Sequence, residues 1–306
     1  MFIVKNRKVF YTFSAILLAL SIGATVAFGL KFGIDFTGGS LLEVSYANTE
    51  PKTQADVVRA LESIGIEGSS VRPTGETGYL IRTPFLNPTQ YSAVRAALGG
   101  EEIRYDSIGP TIGSELQTRA IWAIILVLIV IALFIAFVFR QVSKPVSSWK
   151  YGLIALIALA HDVIVPVGAF AVLGYFFGAE VDTLFVTALL VVLGFSVHDS
   201  IVVFDRVREN LKHLVESNTK EPFEITVGRS VQETLARSIN TSLTTVLALI
   251  ALYIFGPDSI KYFSLTLLIG IIAGTYSSVC IGSPLLVTLE KLQKEPAPED
   301  EKKKKR

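Results

Sequence analysis

Six stretches of about twenty apolar residues constrain this chain more than any other feature of its sequence. A helix rises about 1.5 Å per residue, so roughly twenty residues cross a hydrocarbon core of about 30 Å. The runs fall at residues 9–30, 120–139, 151–177, 183–204, 239–255 and 262–289. Composition agrees: 18% of the 306 residues are charged, against about 25% in a soluble domain. The last run is interrupted by Gly270, Gly274, Gly282 and Pro284, which predicts a tilt or bend. Gly256-Pro257-Asp258 divides it from the fifth run as a tight turn. The first run follows Lys5, Arg7 and Lys8, as a signal peptide would. It exceeds the roughly 7–15 residues of a signal h-region, and Ala24-Thr25-Val26-Ala27 lacks A-x-A spacing, so a retained anchor is expected.

The basic residues of the short connections set an orientation. Lys5, Arg7, Lys8, Arg140, Lys144, Lys150, Arg206, Arg208, Lys212, Lys220 and Arg229 gather on one side, together with the tail Lys302 to Arg306. The opposite short loops offer Lys261. Both termini, 1–8 and the basic tail 291–306, are therefore expected in the cytoplasm. The tail reads as a solvated segment that reinforces topology, with contact to anionic lipid or ribosomal RNA as the competing reading. Acids (27) and bases (28) nearly balance over the chain, which argues against nucleic acid as the main partner.

Two connections are long. Residues 31–119 have soluble character. Gly38-Gly39 leads into an alternating strand at 41–46, a helix follows at 53–64, a strand at 79–83, a helix from Pro88 to Leu98 and a strand at 103–107. This β-α-β-α-β order predicts a small α+β domain of ferredoxin-like type, helices on one face of a sheet, outside the cytoplasm. Residues 205–237 form the second long connection, within the five-helix region 120–290. Residues 205–215 extend the fourth span, and Pro222 opens a further helix with Phe223, Val227, Val231 and Leu235 on one face. That helix is expected on the membrane surface or against the bundle.

Polar residues within spans carry functional information, because one at mid-bilayer costs about 2.5–3.5 kcal/mol even on insertion scales. The third span holds His161-Asp162, the fourth His198-Asp199, and the fifth opens with Arg237 and Asn240. Two acids and an arginine in neighbouring spans suggest a path for protons. Desolvation favours the neutral form of a carboxyl and a nearby arginine the ionised form, so a small change of geometry can switch it. One charge crossing the field is worth about 2.3 kcal/mol per 100 mV, which biases a conformational equilibrium about fifty-fold. The bland readings stand beside this one. Asp199 could form a static ion pair with Arg237, His161 and Asp162 a fixed hydrogen-bonded pair, and His198 a satisfied interior histidine. Arg206 and Arg208 read as interface anchors.

No soluble catalytic constellation is present: there is no Walker A loop, no H-E-x-x-H and no G-x-S-x-G. A single cysteine, Cys280, builds neither a disulfide framework nor a thiolate metal site. No metal, cofactor or bond-cleaving activity is expected.

Three segments resemble the SecF family of protein-export subunits, in the resistance-nodulation-division superfamily. Phe32-Gly33-Ile34-Asp35-Phe36-Thr37-Gly38-Gly39-Ser40 is similar to its membrane-exit motif, in which Asp35, Phe36, Thr37, Gly38 and Gly39 stand. The run from Val192 to Asn210 is similar to its fourth span, and Ala236-Arg237-Ser238-Ile239-Asn240-Thr241-Ser242 to the start of its fifth. The resemblance implies a half-unit of six spans that pairs with a second such subunit, SecD. Asp199 and Arg237 would then support proton transport that powers late steps of protein export beside the SecYEG channel. YajC is a further optional partner, and the translocating precursor, protons and the lipid bilayer complete the implied set. The location implied is the bacterial cytoplasmic (inner) membrane. His161 and Asp162 do not inherit this support. Two other readings remain open at this level: half of a small-molecule or lipid exporter of the same superfamily, and a passive assembly factor of the translocon.

Overall fold

A computed structural model describes residues 2–141 and 146–294. Lys144 and the tail cluster Lys302 to Arg306 lie outside the described residues. Among these, eleven α-helices and four strands follow in the order α1 (Phe2–Lys5), α2 (Arg7–Phe28), α3 (Ile34–Thr37), β1 (Gly39–Ser45), α4 (Gln54–Ser63), β2 (Ser70–Thr74), β3 (Gly78–Thr83), α5 (Pro88–Leu98), β4 (Glu101–Ile108), α6 (Pro110–Val138), α7 (Ser148–Phe177), α8 (Thr183–Glu216), α9 (Phe223–Phe255), α10 (Lys261–Ser277) and α11 (Ser283–Lys294). Among the described residues, six helices are long and apolar enough to cross a membrane: α2, α6, α7, α8, α9 and the run from Asp258 to Leu292. The chain is a multi-pass membrane protein.

The backbone divides into two units, one formed by residues 32–122 with 180–183, the other by the remaining membrane helices. In the first, four antiparallel strands lie in the order β2-β3-β1-β4. Both helices start from capping boxes, Thr53 with Asp56 on α4 and Asn87 with Gln90 on α5, which satisfy orphan amides reciprocally. Their apolar faces, Val57 and Leu61, Val94 and Leu98, close on Leu42, Val44, Val71 and Ile81 of the sheet. Burying each such side chain contributes about 1.5–3 kcal/mol. The sequence reading missed β2. It is a short edge strand with Pro73 inside it, paired to β3 alone. Proline cannot donate to a ladder and is tolerated at an edge, but it removes the strand signature from the sequence.

In the helical unit, small residues let backbones approach, as expected where lipid supplies no hydrophobic drive between helices. An added Cβ would stand 2.5 Å from the Ala132 carbonyl oxygen at Gly152 and 2.4 Å from Ser21 Cα at Gly168. On α10, one at Gly270 would stand 2.3 Å from Val192 and one at Gly274 3.0 Å from Ser196, so these glycines let α8 and α10 approach closely. The last span is interrupted by a π-helical turn, Ser278–Gly282. Pro284 has no N–H to offer the carbonyl of Cys280 and crowds it, which accounts for a wider turn there.

Of the two placements expected for the helix opened by Pro222, the structure shows the one against the bundle, and the helix runs without a break into the fifth span as α9. Its first turns bury Phe223, Val227 and Val231 against Phe139, Tyr151, Phe204 and Val207. Phe139 stacks on Tyr151 with ring centroids 5.2 Å apart, and Phe204 meets both rings edge-on. Glu224 ties the same turns to Arg7 at 2.8 Å and to Lys291. The apolar face of the amphipathic pattern is thus the one buried in the bundle.

Candidate functional site

The exit motif is a structural clasp. Asp35 Oδ2 accepts from both the backbone N–H (2.8 Å) and the hydroxyl (2.6 Å) of Thr183, the first residue of α8. It thereby caps a helix from a distant part of the chain, where an acid also complements the helix dipole. Gly33 donates to the Val181 carbonyl at 2.8 Å, and Glu180 meets Arg82 at 3.1 Å and Arg72 at 3.6 Å. Arg82 also donates to the Phe32 carbonyl and to Thr37 Oγ1. Phe36 is buried. Gly38 and Gly39 adopt φ of +73° and +131°, where a side chain is strained. A Cβ on Gly38 would stand 2.7 Å from Pro110 Cα, and one on Gly39 2.8 Å from the Thr83 carbonyl oxygen.

Asp199 is buried on α8. The neighbouring helix α9 brings Ser238 and Ser242 towards its carboxyl group. Oδ2 of Asp199 and the hydroxyl of Ser238 are nevertheless both enclosed without a hydrogen-bond partner. Ser242 instead bonds Thr275 of α10 at 2.6 Å. Arg237, His198 and Asn240 are exposed in the single chain. No ion pair joins Asp199 to Arg237 among the described residues. Arg237 lines a cleft with Asp205, Arg206, Glu209 and Glu233. Within it Arg206 bonds Glu233 at 2.7 Å and Glu209 at 2.6 Å, which ties α8 to α9. Arg208 pairs with Asp205 on its own helix.

His161 and Asp162 form a separate cluster, both buried within α7. Asp162 Oδ1 lies 3.0 Å from His161 Nδ1. Its Oδ2 accepts from Ser196 of α8 at 2.5 Å and from Ser277 of α10 at 2.8 Å. Gly274 leaves the space that this convergence needs: its added Cβ would stand 3.5 Å from Asp162 Oδ2. The imidazole ring lies 6.1 Å from that of Tyr276, whose hydroxyl meets Ser14 and the Phe10 carbonyl of α2.

The structure thus brings His161 and Asp162 together with partners from two other helices, and places Arg237, His198 and Asn240 at the surface near buried Asp199. The sequence reading did not single out Ser196, Ser238, Thr275 or Ser277. The run Thr275-Tyr276-Ser277-Ser278 in an apolar span was the available signal.

Comparison with known proteins bears on this arrangement. Residues 91–292 match the family model for the protein export membrane protein SecD/SecF, C-terminal, and residues 23–50 match the SecD/SecF GG motif. The chain belongs to the SecD/SecF family. Within that family it is 42% identical to the protein translocase subunit SecF of Thermobaculum terrenum, over 94% of this chain and 93% of the relative. It is 40% identical to SecF of Anaerolinea thermophila, with 92% of each chain covered. A crystal structure of SecDF, a translocon-associated membrane protein from Thermus thermophilus, superposes with a TM-score of 0.80 at 30% identity. The match covers 94% of this chain and 38% of the SecDF chain. A second SecDF structure, in a super-membrane-facing form, gives a TM-score of 0.64 at 32% identity. The family's GG motif contains the Gly38-Gly39 clasp, and its C-terminal module contains both intramembrane acids.

Proposed function

We propose that this chain is an accessory subunit of the Sec protein translocase which, paired with SecD, uses the proton motive force to complete protein export. The observation that carries the reading is the state of Asp199. A carboxylate oxygen sealed from water without a donor is an open position for a proton. The residues beside it in sequence and on α9, His198, Arg237 and Asn240, are exposed as a half-built interface would leave them. A second six-span subunit covering this face would complete the site, and the SecDF relative supports that pairing: this chain accounts for 38% of its length. Arg237 then sets the charge state of Asp199 by moving relative to it, as the absence of a fixed pair between them allows.

The reading extends to the surroundings. The bases of the short connections support cytoplasmic termini in a bacterial inner membrane. The order β-α-β-β-α-β with strands arranged 2-3-1-4 supports a ferredoxin-like assignment for the outer domain 31–119. That domain would grip or shield the emerging precursor beside SecYEG, with YajC as an optional neighbour.

The test is proton flux in vesicles that contain this chain and its six-span partner. Asp199→Asn is isosteric and cannot titrate. It is expected to abolish flux and slow precursor export while assembly with the partner persists. Wild-type flux and export in the variant would refute the assignment.

A further inference from the structure

The geometry points to a second proton-binding site inside this chain, separate from Asp199, in which His161 Nε2 takes up the proton and Asp162 holds the imidazole. Nε2 is buried, its residue only 2% exposed, and has no hydrogen-bond partner. Every other polar atom of the pair is engaged: Nδ1 with Asp162 Oδ1, and Oδ2 with the hydroxyls of Ser196 and Ser277.

The proton count follows from this inventory. One proton lies between Nδ1 and Oδ1; it sits on Nδ1 when Nε2 is bare, since a ring with both nitrogens bare would be an imidazolate, and on either atom when Nε2 is protonated. With Nε2 bare, the pair holds one negative charge. With Nε2 protonated, it is neutral overall, either as an imidazolium beside a carboxylate or as two neutral groups. The loaded and empty states therefore differ by a proton on Nε2, and the ambiguity of the shared proton does not matter. The bare form leaves a net charge in an apolar interior and the loaded form leaves an N–H without an acceptor, so neither is strongly preferred on those grounds.

The surroundings contain no fixed cation that would settle the balance. Neither residue makes an ion pair with a lysine or arginine among the described residues, the His161–Asp162 contact being internal to the pair. The bases of the packed helices stand towards their ends. Lys150 begins α7, Lys261 begins α10 and pairs with Asp258, Arg7 and Lys8 begin α2 with Arg7 paired to Glu224, Arg206 and Arg208 occupy the C-terminal part of α8, and Lys291 lies near the end of α11, paired with Glu224. Tyr276 of α10 faces the imidazole, with Cys280 in the turn beyond it; Asp199 stands on α8 three residues past Ser196 with Ser238 and Ser242 of α9 towards its carboxyl group, and α11, also packed on α7, carries buried Glu290 near its end. Helix α2 contributes the Ser14 hydroxyl through Tyr276.

Because Asp162 is held from α8 and α10 at once, loading Nε2 changes the charge at the point where three helices meet. A proton there biases their packing from within the subunit, whereas Asp199 lies beside an exposed face.

The experiment uses the complete chain with its six-span partner in vesicles, with histidine nitrogen-15 in this chain only. The three histidines make assignment tractable. His161→Asn removes Nε2 while keeping a donor near the position of Nδ1, and identifies the signal by its loss. As pH is lowered, the His161 Nε2 resonance is expected to move from the bare imine range to the N–H range. Proton uptake on a pH jump should fall by about one per complex in His161→Asn. Both effects should persist in an Asp199→Asn background, so the outcome is independent of the role proposed for Asp199. An Nε2 resonance fixed in one state at every pH the complex survives would overturn the proposal. So would unchanged uptake in His161→Asn, or loss of the His161 titration when Asp199 is replaced.

Discussion

Replacing Gly38 by alanine separates two demands that the exit motif makes on its backbone. Gly38 adopts φ +73° and has Pro110 Cα 2.7 Å from the place where a Cβ would sit. Gly65, just after α4, has φ +76° but nothing within 4 Å. The left-handed conformation costs an L-residue about 1–2 kcal/mol, and this term is common to both positions. At Gly38 the backbone of Pro110 must also move, an overpacking cost of about 1–3 kcal/mol. The total for Gly38→Ala is thus about 2–5 kcal/mol, against about 1–2 kcal/mol for Gly65→Ala. Hydrogen exchange of the β1 amides in the intact protein reads these differences, since about 1.4 kcal/mol is a tenfold change in opening. Gly38→Ala should raise β1 exchange by about thirty-fold to several thousand-fold, and Gly65→Ala by about five- to thirty-fold. Equal losses of protection in the two variants would show that close approach to Pro110 plays no part, and the clasp would reduce to a matter of turn conformation.

Other outcomes follow from the same structure. Gly168→Ala places a Cβ 2.4 Å from Ser21, so α2 and α7 must separate. Thermal unfolding in detergent should register a loss of about 1–3 kcal/mol, whereas Gly194→Ala, with nothing within 4 Å, should be near neutral. In the outer domain, hydrogen bonds from the Thr53 hydroxyl and backbone hold the Asp56 carboxyl below its ordinary value of 3.8. Its contribution to α4 is therefore complete above that ordinary value and is lost as pH falls through the lower folded one. Amide protection in the first turn of α4 should decline over that acid window and not above it. Asp56→Asn should remove the pH dependence, and a decline at neutral pH would contradict the capping account.

Much of the architecture was legible because it rests on local patterns. Span length is set by bilayer thickness, so six apolar runs were visible without tertiary information. The glycines at 270 and 274 lay on one helix face by spacing, and the structure gives them Val192 and Ser196 to approach. Legibility ended where one element's identity depends on another. Strand β2 exists because β3 offers it an edge, and its Pro73 hid it. The amphipathic start of α9 fitted a membrane surface or the bundle alike, and Phe204 and Tyr151, which come from elsewhere in the chain, decide for the bundle.

The candidate site divides in the same way. Ordering by sequence placed Asp162 and Asp199 within spans and Arg237 at the opening of the fifth, and the cost of burying charge marked them as informative. Sequence could not say that Asp162 is satisfied from two other helices while Asp199 keeps an open oxygen. Serine and threonine within helices can bond their own carbonyls four residues back, as Thr275 does with Ile271, or turn outwards to a neighbour, as Ser196 does. Which they do depends on how each helix is rotated and how closely its neighbours pack. Hydrophobicity and periodicity are properties of one segment and are written in the sequence. The rotation of one helix against another is fixed by the packing of all of them together, so the tertiary structure alone decided which acid is pinned and which is left open.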